Sequence, residues 1–553
     1  MAGEPPSVTG AERIEANVRR ATFVWMGSIL LSRILGFFRE IVIARAGGAN
    51  AATDVYFAAF TIPDFVNYLL AGGAISITFI PVFARYAAGG DEEEGWRVFS
   101  IVTSFIGVAV GGAILAAMLL ADRLAPWVAP GFSPAQQHEL ARLTRIVLPA
   151  QLFLFEGFLL SAVQQAKGAT WIPALAPLLY NGGTILGGLL LAPRMGMEGF
   201  CWGLLGGAVA GSFVLQLWGA RLVGMRWRFS LAIGHPGFRR YFRLSLPIML
   251  GQSIVVWDEW IARWFGSGLA AATISWLAYG RKLASVPQAV FGQAAGIASF
   301  PRLARQAAER KVAEMVALVV REGRFVLVAS SLSTILLVVL GEEICRLLLR
   351  SRLFGEESVR ATGLVLAIFA FAIAAWSLQA LLQRAFYAFE DTLTPTIAGT
   401  ILTVAAIPFY ALLGRTMGYR GLALASVASA LLYTVALVAL LARRFRREGE
   451  PLPAAELRSF VARLVGVSLL AALLAFGVRF LALRFVPFLS NPEGWMASLG
   501  RTILAGAIGT AAFLGLGARV GLREATELVV SLLSRVVGRG RAEGLLARAG
   551  IAP

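Results

Sequence analysis

Apolar runs of twenty or more residues follow one another along almost the whole chain, separated by short polar or basic stretches. A helix needs about 20 apolar residues to cross the hydrocarbon core. On that rule spans are predicted near 22–46, 54–86, 98–121, 141–165, 171–192, 197–220, 241–265, 269–300, 316–341, 359–388, 394–413, 419–442, 459–483 and 498–518. The expected fold is an all-α polytopic membrane protein of about 14 transmembrane helices. Pro63, Pro81, Pro247, Pro287 and Pro301 lie within or at the ends of long spans, and Gly72-Gly73 interrupts the second. Helix breaks are expected at Gly72, Gly73, Pro81 and Pro301, because loosened backbone is tolerated at membrane depth where it lines a cavity.

Part of the chain is duplicated. Pro81-Val82-Phe83-Ala84-Arg85-Tyr86-Ala87-Ala88 aligns with Pro301-Arg302-Leu303-Ala304-Arg305-Gln306-Ala307-Ala308, and Ala51-Ala52-Thr53 aligns with Ala271-Ala272-Thr273 at the same offset. Met195-Gly196-Met197-Glu198-Gly199 aligns with Met417-Gly418-Tyr419-Arg420-Gly421, and Thr170 and Pro173 align with Thr392 and Pro395, again sharing one offset. Blocks in order at a nearly constant offset imply two lobes of six spans each. An even number of spans gives both copies the same orientation, as parallel repeats about an axis along the membrane normal. The expected organisation is an N-terminal segment 1–20, a first lobe 21–225, and a second lobe 226–446 that includes the basic loop leading into it. A final helix pair within 447–520 has no counterpart in the repeat, and an amphipathic tail fills 521–553. In that tail Leu522, Ala525, Leu528, Val529, Leu532, Leu533 and Val536 share a helical face, so it either lies on the inner leaflet or packs on the ends of the bundle.

Composition agrees with a membrane protein: 58% of the 553 residues are hydrophobic and only 15% charged, with a mean hydropathy of +0.73. The net charge of +18 alone would suit a nucleic-acid binder. The arginines, however, cluster in short connections at 221–243, 302–324 and 443–447, as the positive-inside rule expects of cytoplasmic loops. No nucleic-acid partner is expected, and both termini are placed in the cytoplasm. Residues 1–20 are polar with no cleavage site, so the first apolar segment reads as an uncleaved anchor. Cys201, Cys345, His138 and His235 show no zinc or thiol-catalysis spacing, and no metal or other cofactor is expected.

Charges inside spans are the informative exceptions, since each Arg or Asp at mid-bilayer costs about 2.5–3.5 kcal/mol on insertion scales. Arg33 and Arg39 stand in the first span, six residues and hence about 120° apart on the helix. Both can border a wide cavity, and a guanidinium donates two hydrogen bonds at once to a phosphate. Alternatively Arg39 contacts Glu40 or snorkels to the interface. Asp54 opens the second span, where it caps that helix or pairs with Arg33 or Arg39 as a gate. In the seventh span Asp258 and Glu259 are candidates for binding a coupling cation, sodium or proton, or else neutralise Arg263, Arg281 or Lys282.

The stretch Ser32-Arg33-x-Leu35-Gly36-x-x-Arg39-Glu40, followed by Gly48, Thr53-Asp54-x-x-Phe57-x-Ala59-Phe60-x-x-Pro63 and Phe79-Ile80-Pro81, resembles the opening of the MviN/MurJ family. These are lipid II flippases of the multidrug/oligosaccharidyl-lipid/polysaccharide exporter superfamily. The resemblance implies that Arg33, Arg39 and Asp54 face a central cavity, that Arg281 and Lys282 contribute charge from the eighth helix, and that the last two helices hold the polyprenyl tail. It also implies alternating access in a bacterial cytoplasmic membrane. The sequence departs from the family pattern at Asn67, where an arginine is usual, at Gly72-Gly73-Ala74 for Glu-Gly-Ala, at Lys282 for arginine, and at Glu259 for a basic residue. The eleventh span, Thr396 to Leu413, lacks the Asn and Asp of the sodium site that some relatives carry.

The function this implies is movement of undecaprenyl-diphosphate-linked peptidoglycan precursor from the inner to the outer leaflet, driven by membrane potential or an ion gradient. No Gly-x-x-x-x-Gly-Lys-Ser/Thr loop offers a nucleotide site. The alternatives are a flippase for another polyprenyl-linked oligosaccharide and a cation-coupled drug exporter; an enzyme is not expected. A monomer is expected, associated or not with the cell-wall synthesis machinery.

Overall fold

A computed structural model describes residues 10–69, 72–252, 257–491 and 493–537. Among them the secondary structure is helical, with no strand. Contacts divide the chain into two compact units, 1–253 and 254–553.

The first unit holds α1 (Gly10–Gly47), α2 (Ala51–Ala59), α3 (Thr61–Leu69), α4 (Gly72–Ala88), α5 (Glu92–Leu119), α6 (Ala121–Val128), α7 (Pro134–Ala166), α8 (Trp171–Leu190), α9 (Ala192–Met195), α10 (Met197–Gly207), α11 (Leu215–Leu222) and α12 (Pro236–Gln252). A π-helical stretch, 208–214, joins α10 to α11 without interruption. An aromatic ladder forms the core: Phe83 meets Trp96 at 4.8 Å between ring centroids, Trp96 meets Phe99 at 5.8 Å, and Phe79 meets Tyr241 of α12 at 6.0 Å. A buried hydroxyl pair, Thr78 and Ser245 at 2.9 Å, ties α12 to α4. Helices α8 and α10 are packed backbone to backbone. A Cβ added to Gly187 would fall 2.4 Å from the Cα of Gly203, and one on Gly183 would fall 2.6 Å from the Cα of Gly207. Small residues four apart permit this approach, which in lipid replaces hydrophobic burial as the source of helix association.

The second unit holds α13 (Trp257–Gly266), α14 (Thr273–Pro287), α15 (Ala294–Ala308), α16 (Val312–Leu349), α17 (Glu356–Ala370), α18 (Ile373–Ala388), α19 (Leu393–Met417), α20 (Tyr419–Arg447), α21 (Ala454–Phe485), α22 (Trp495–Arg519) and α23 (Arg523–Val537). Another π-helical stretch, 288–293, follows Pro287 between α14 and α15. Helix α23 docks on the bundle: Leu522 and Ala525 are fully buried in a cluster with Val328, Phe460, Leu464 and Phe513. Residues 538–553, the rest of the expected tail, lie outside the described residues.

Eight described helices are long and apolar enough to cross a membrane, and the bent pair α17–α18 makes a ninth if it is one span. The hydropathy reading expects more, and its remaining spans differ in kind. The first and fifth are the single helices α1 and α8, the second is divided into α2, α3 and α4, the seventh into α12 and α13, and the eighth into α14, the π-helical stretch and α15. Of the expected breaks, Gly72 and Gly73 open α4, just after residues 70 and 71, which lie outside the described residues. Pro81 and Pro301 break nothing: α4 and α15 run through them. A proline forfeits one backbone hydrogen bond, and neighbouring turns can carry the helix on. The eighth span is instead disturbed at Pro287.

Candidate functional site

In the first unit the charged residues of α1 are organised by α8. Gly36 turns its bare face to Asn181, whose Oδ1 would lie 3.7 Å from a Cβ there, and this admits the amide to the turn below. Asn181 donates through Nδ2 to the carbonyl of Pro177 (2.9 Å), which aims Oδ1 at α1, where it accepts from Arg39 Nη1 at 3.0 Å. The other terminal nitrogen of Arg39 donates to Glu40 Oε1 at 2.5 Å. Arg39 is thus half-buried between an amide and a carboxylate, and its Nε has no hydrogen-bond partner among the described residues. Arg33, nearly two turns earlier, is exposed.

Asp54 is buried in the first turn of α2, at 3% exposure. It does not cap that helix. Asn50 does: its side-chain oxygen accepts from the amides of Ala52 (2.9 Å) and Thr53 (3.2 Å), while Thr53 Oγ1 accepts from the Asn50 amide at 2.8 Å. This reciprocal capping box leaves Asp54 as the fourth residue of the helix, still in its first turn, where its negative charge complements the helix N-terminus.

In the second unit three other helices, α14, α19 and α20, converge on Asp258 of α13. Arg281 of α14 donates from Nη1 to Asp258 Oδ2 at 2.5 Å, and its Nε forms an ion pair with Glu259 Oε1 at 3.0 Å. Ser426 of α20 donates to Asp258 Oδ2 at 2.6 Å, and the hydroxyl of Tyr410 of α19 donates to Oδ1. Trp376 of α18 lies beneath the guanidinium, 5.0 Å from ring centroid to Cζ. Arg263 donates to Glu259 at 3.3 Å. Both carboxylates considered for a coupling cation are therefore engaged by arginine. Arg281 and Lys282 part company, as neighbours about 100° apart on a helix must. The first turns to the carboxylates and the second is exposed.

Several participants carry no mark in the sequence. Tyr410 and Ser426 look like ordinary residues of apolar spans, 152 and 168 positions from the carboxylate they bind. Arg384 does carry a signal, as an arginine within the span near 359–388. It is half-buried and donates to the carbonyl of Ala380 at 2.9 Å. A further cluster joins α16 to the last helix pair: Glu343 accepts from Arg501 (2.9 Å to each oxygen), Arg479 (3.2 Å) and Arg346 (3.1 Å).

The family model described as lipid II flippase MurJ matches residues 43–492 of this chain, more than half its length. The chain belongs to the lipid II flippase MurJ family. It is similar to the lipid II flippase MurJ of Burkholderia cenocepacia, at 28% identity over 82% of this chain and 89% of that protein. It is also similar to a probable lipid II flippase MurJ of Haemophilus influenzae, at 28% identity over 73% of this chain and 82% of that one. Among solved structures, a lipid II flippase MurJ in an inward closed conformation superposes with a TM-score of 0.70 at 19% identity, covering 89% of this chain and 98% of the other. An inward-facing multidrug transporter of the wider superfamily gives 0.62 at 14% identity, over 75% and 95%; at such identities the likeness shows the fold. Membership of the MurJ family makes the chain a multi-pass membrane transporter and not an enzyme.

Proposed function

We propose that this protein flips lipid II, the undecaprenyl-diphosphate-linked peptidoglycan precursor, from the inner to the outer leaflet of a bacterial cytoplasmic membrane. What supports the reading most is the pair of arginines in α1 of a MurJ-family chain: Arg33 exposed, and Arg39 held in place by Asn181 and Glu40. A guanidinium oriented by two neighbours loses little freedom on meeting a diphosphate, and its planar fork matches phosphate oxygens. The lobes would alternate access to that headgroup, across fourteen spans with both termini in the cytoplasm, in a monomer. Outward movement of an anionic headgroup is favoured by an inside-negative potential, at about 2.3 kcal/mol per charge per 100 mV. The engagement of Asp258 by Arg281, Tyr410 and Ser426 supports a cycle that runs on this potential without sodium at Asp258.

The test is lipid II exposure at the outer surface of cells depleted of their own flippase and supplied with this chain. Restored exposure, reduced at least tenfold by Arg33→Ala at equal protein level, is the expected result. Failure of the unaltered, well-inserted chain to restore exposure would move the cargo to another polyprenyl-linked glycan. Full activity of Arg33→Ala would remove the arginine from the headgroup site.

A further inference from the structure

The first unit contains a cavity of about 460 Å³ between α5, α7, the π-helical stretch 208–214 and the segment that follows α11. Its walls are apolar, with the rings of Phe99, Phe153, Phe213, Trp227 and Phe229 set among aliphatic side chains. Glu156 of α7 also lines it, is only 8% exposed, and has no hydrogen-bond or ion-pair partner among the described residues. Opposite stands Gly107, where a Cβ would come 3.1 Å from Glu156 Oε1, so the carboxylate reaches across to α5.

The remaining polar groups of the lining are accounted for. Thr103 donates to the carbonyl of Phe99 at 2.8 Å, and Ser104 accepts from the amide of Ser230 at 3.1 Å. Ser100, one turn away, accepts from the amide of Arg228 at 3.1 Å. These two serine hydroxyls fasten the extended segment 226–230 along α5 and hold Trp227 and Phe229 over the cavity. Arg221 also lines the cavity, with its side chain exposed, and makes no ion pair with Glu156 among the described residues.

A carboxylate in apolar surroundings is either protonated or accompanied by a cation, because an unaccompanied charge there costs far more than either. A bare metal ion is a poor companion, since it needs several oxygen ligands and a single carboxylate supplies two. Aromatic rings in the walls favour an organic cation instead, and the volume suits a drug-sized molecule. We propose that this cavity binds an amphipathic amine, its ammonium on Glu156 and its apolar body among the rings. Where the carboxyl arrives protonated, the proton leaves to water as the ammonium takes its place, so charge is conserved. The amine could be a soluble amphiphile or the headgroup of an aminophospholipid. The proposal does not rest on the transport reading.

The experiment is fluorescence titration of dansylcadaverine, an aromatic primary amine, into the full chain in phosphatidylcholine nanodiscs, with empty discs as blank. Saturable binding is expected, weakened at least tenfold by Glu156→Gln and also by Phe213→Ala, which removes one ring of the lining and leaves the carboxylate in place. Wild-type affinity in both folded variants would overturn the proposal. If Glu156→Gln does not fold, dicyclohexylcarbodiimide labelling of the wild-type chain decides: protection of Glu156 by dansylcadaverine supports the site, and labelling unaffected by the amine overturns it. Repeating the titration in phosphatidylethanolamine discs separates the sources. Weaker probe binding in wild type would assign the site to the lipid headgroup, and unchanged binding to a soluble amine.

Discussion

Five described residues of the first unit have a positive φ: Gly48, Gly90, Gly168, Gly196 and Gly224. The repeated part of the second unit also has five, and Arg310, Glu390, Gly418 and Gly449 match the last four at a nearly constant offset, whereas Ala272 aligns with Ala52 and not with Gly48. All four pairs close a helix with matching backbone hydrogen bonds. In three of them an amide reaches back five residues: Asp91 to Tyr86 matches Lys311 to Gln306, Ala169 to Gln164 matches Asp391 to Phe386, and Met225 to Ala220 matches Glu450 to Phe445. In the fourth, Gly196 and Gly418 reach back four residues, to Ala192 and Gly414. Backbone geometry has thus outlasted side-chain identity. The fourth pair is instructive: Gly196 (φ 58°, ψ −137°) and Gly418 (φ 60°, ψ −137°) occupy a region that is essentially closed to residues with a Cβ, and both copies keep glycine there. Where the conformation is the ordinary left-handed one, the second copy has drifted to Arg310 and Glu390 and keeps glycine at Gly449.

Chemistry diverged further. Arg39 is held by Asn181 in the first unit; the offset that relates Pro81 to Pro301 relates Arg39 to Glu259, which is held by Arg281 and Arg263. The corresponding helices α5 and α16 differ too. The first ends at Leu119 and gives way to the short α6, whereas the second runs on to Leu349. Its extra turns carry Glu342 and Glu343, which join it to Arg479 and Arg501 of the final pair α21–α22 that the first unit lacks.

The strongest blow to the second unit alone is therefore Glu343→Gln. It strips the buried Arg501 of its carboxylate, and loss of one partner of a buried pair costs about 3–5 kcal/mol. A drop in melting temperature in detergent, far larger than that of a surface Glu→Gln control, is expected; an unchanged melt would show that the cluster does not fasten the last two helices. Next come Gly196→Ala and Gly418→Ala. Nothing lies within 4 Å of either added Cβ, so the cost is that of backbone conformation alone, about 1–3 kcal/mol and alike in both copies. One neutral and one damaging substitution would break the equivalence. The smallest effect has the opposite sign. Arg310→Gly and Glu390→Gly relieve a left-handed residue, a gain of about 1–2 kcal/mol offset by the greater freedom of glycine in the unfolded chain. A net stabilisation of about 0.5 kcal/mol is expected, and a lowered melting temperature for both would count against the drift described above.

The repeat was readable because its blocks fall at element ends, where backbone conformation restricts residue choice. Helical crossings were readable wherever one helix spans, as in α5, α7 and α16. They were less so where the crossing is assembled from pieces, as with α2–α4, because hydropathy averages over a break. Arg33, Arg39, Asp258 and Arg281 stood out as charges in apolar runs, and the Arg39–Glu40 contact followed from adjacency. Their other partners did not stand out. Asn181, Tyr410 and Ser426 cost little in a span and are joined to their charges only by the fold. Glu156 is the one acid in the span near 141–165, a position the sequence reading passes over, and its isolation is a property of α5 and α7 together.

The seam between α8 and α10 bears on how Asn181 is held. With glycine facing glycine at positions 183, 187, 203 and 207, no side chains lie between the two backbones to act as bearings or springs. Neither helix can roll or slide against the other without collision, so the pair has the stiffness of one thick beam. Asn181 is mounted on that beam, and Arg39 takes its bearing from a fixed reference instead of a compliant one.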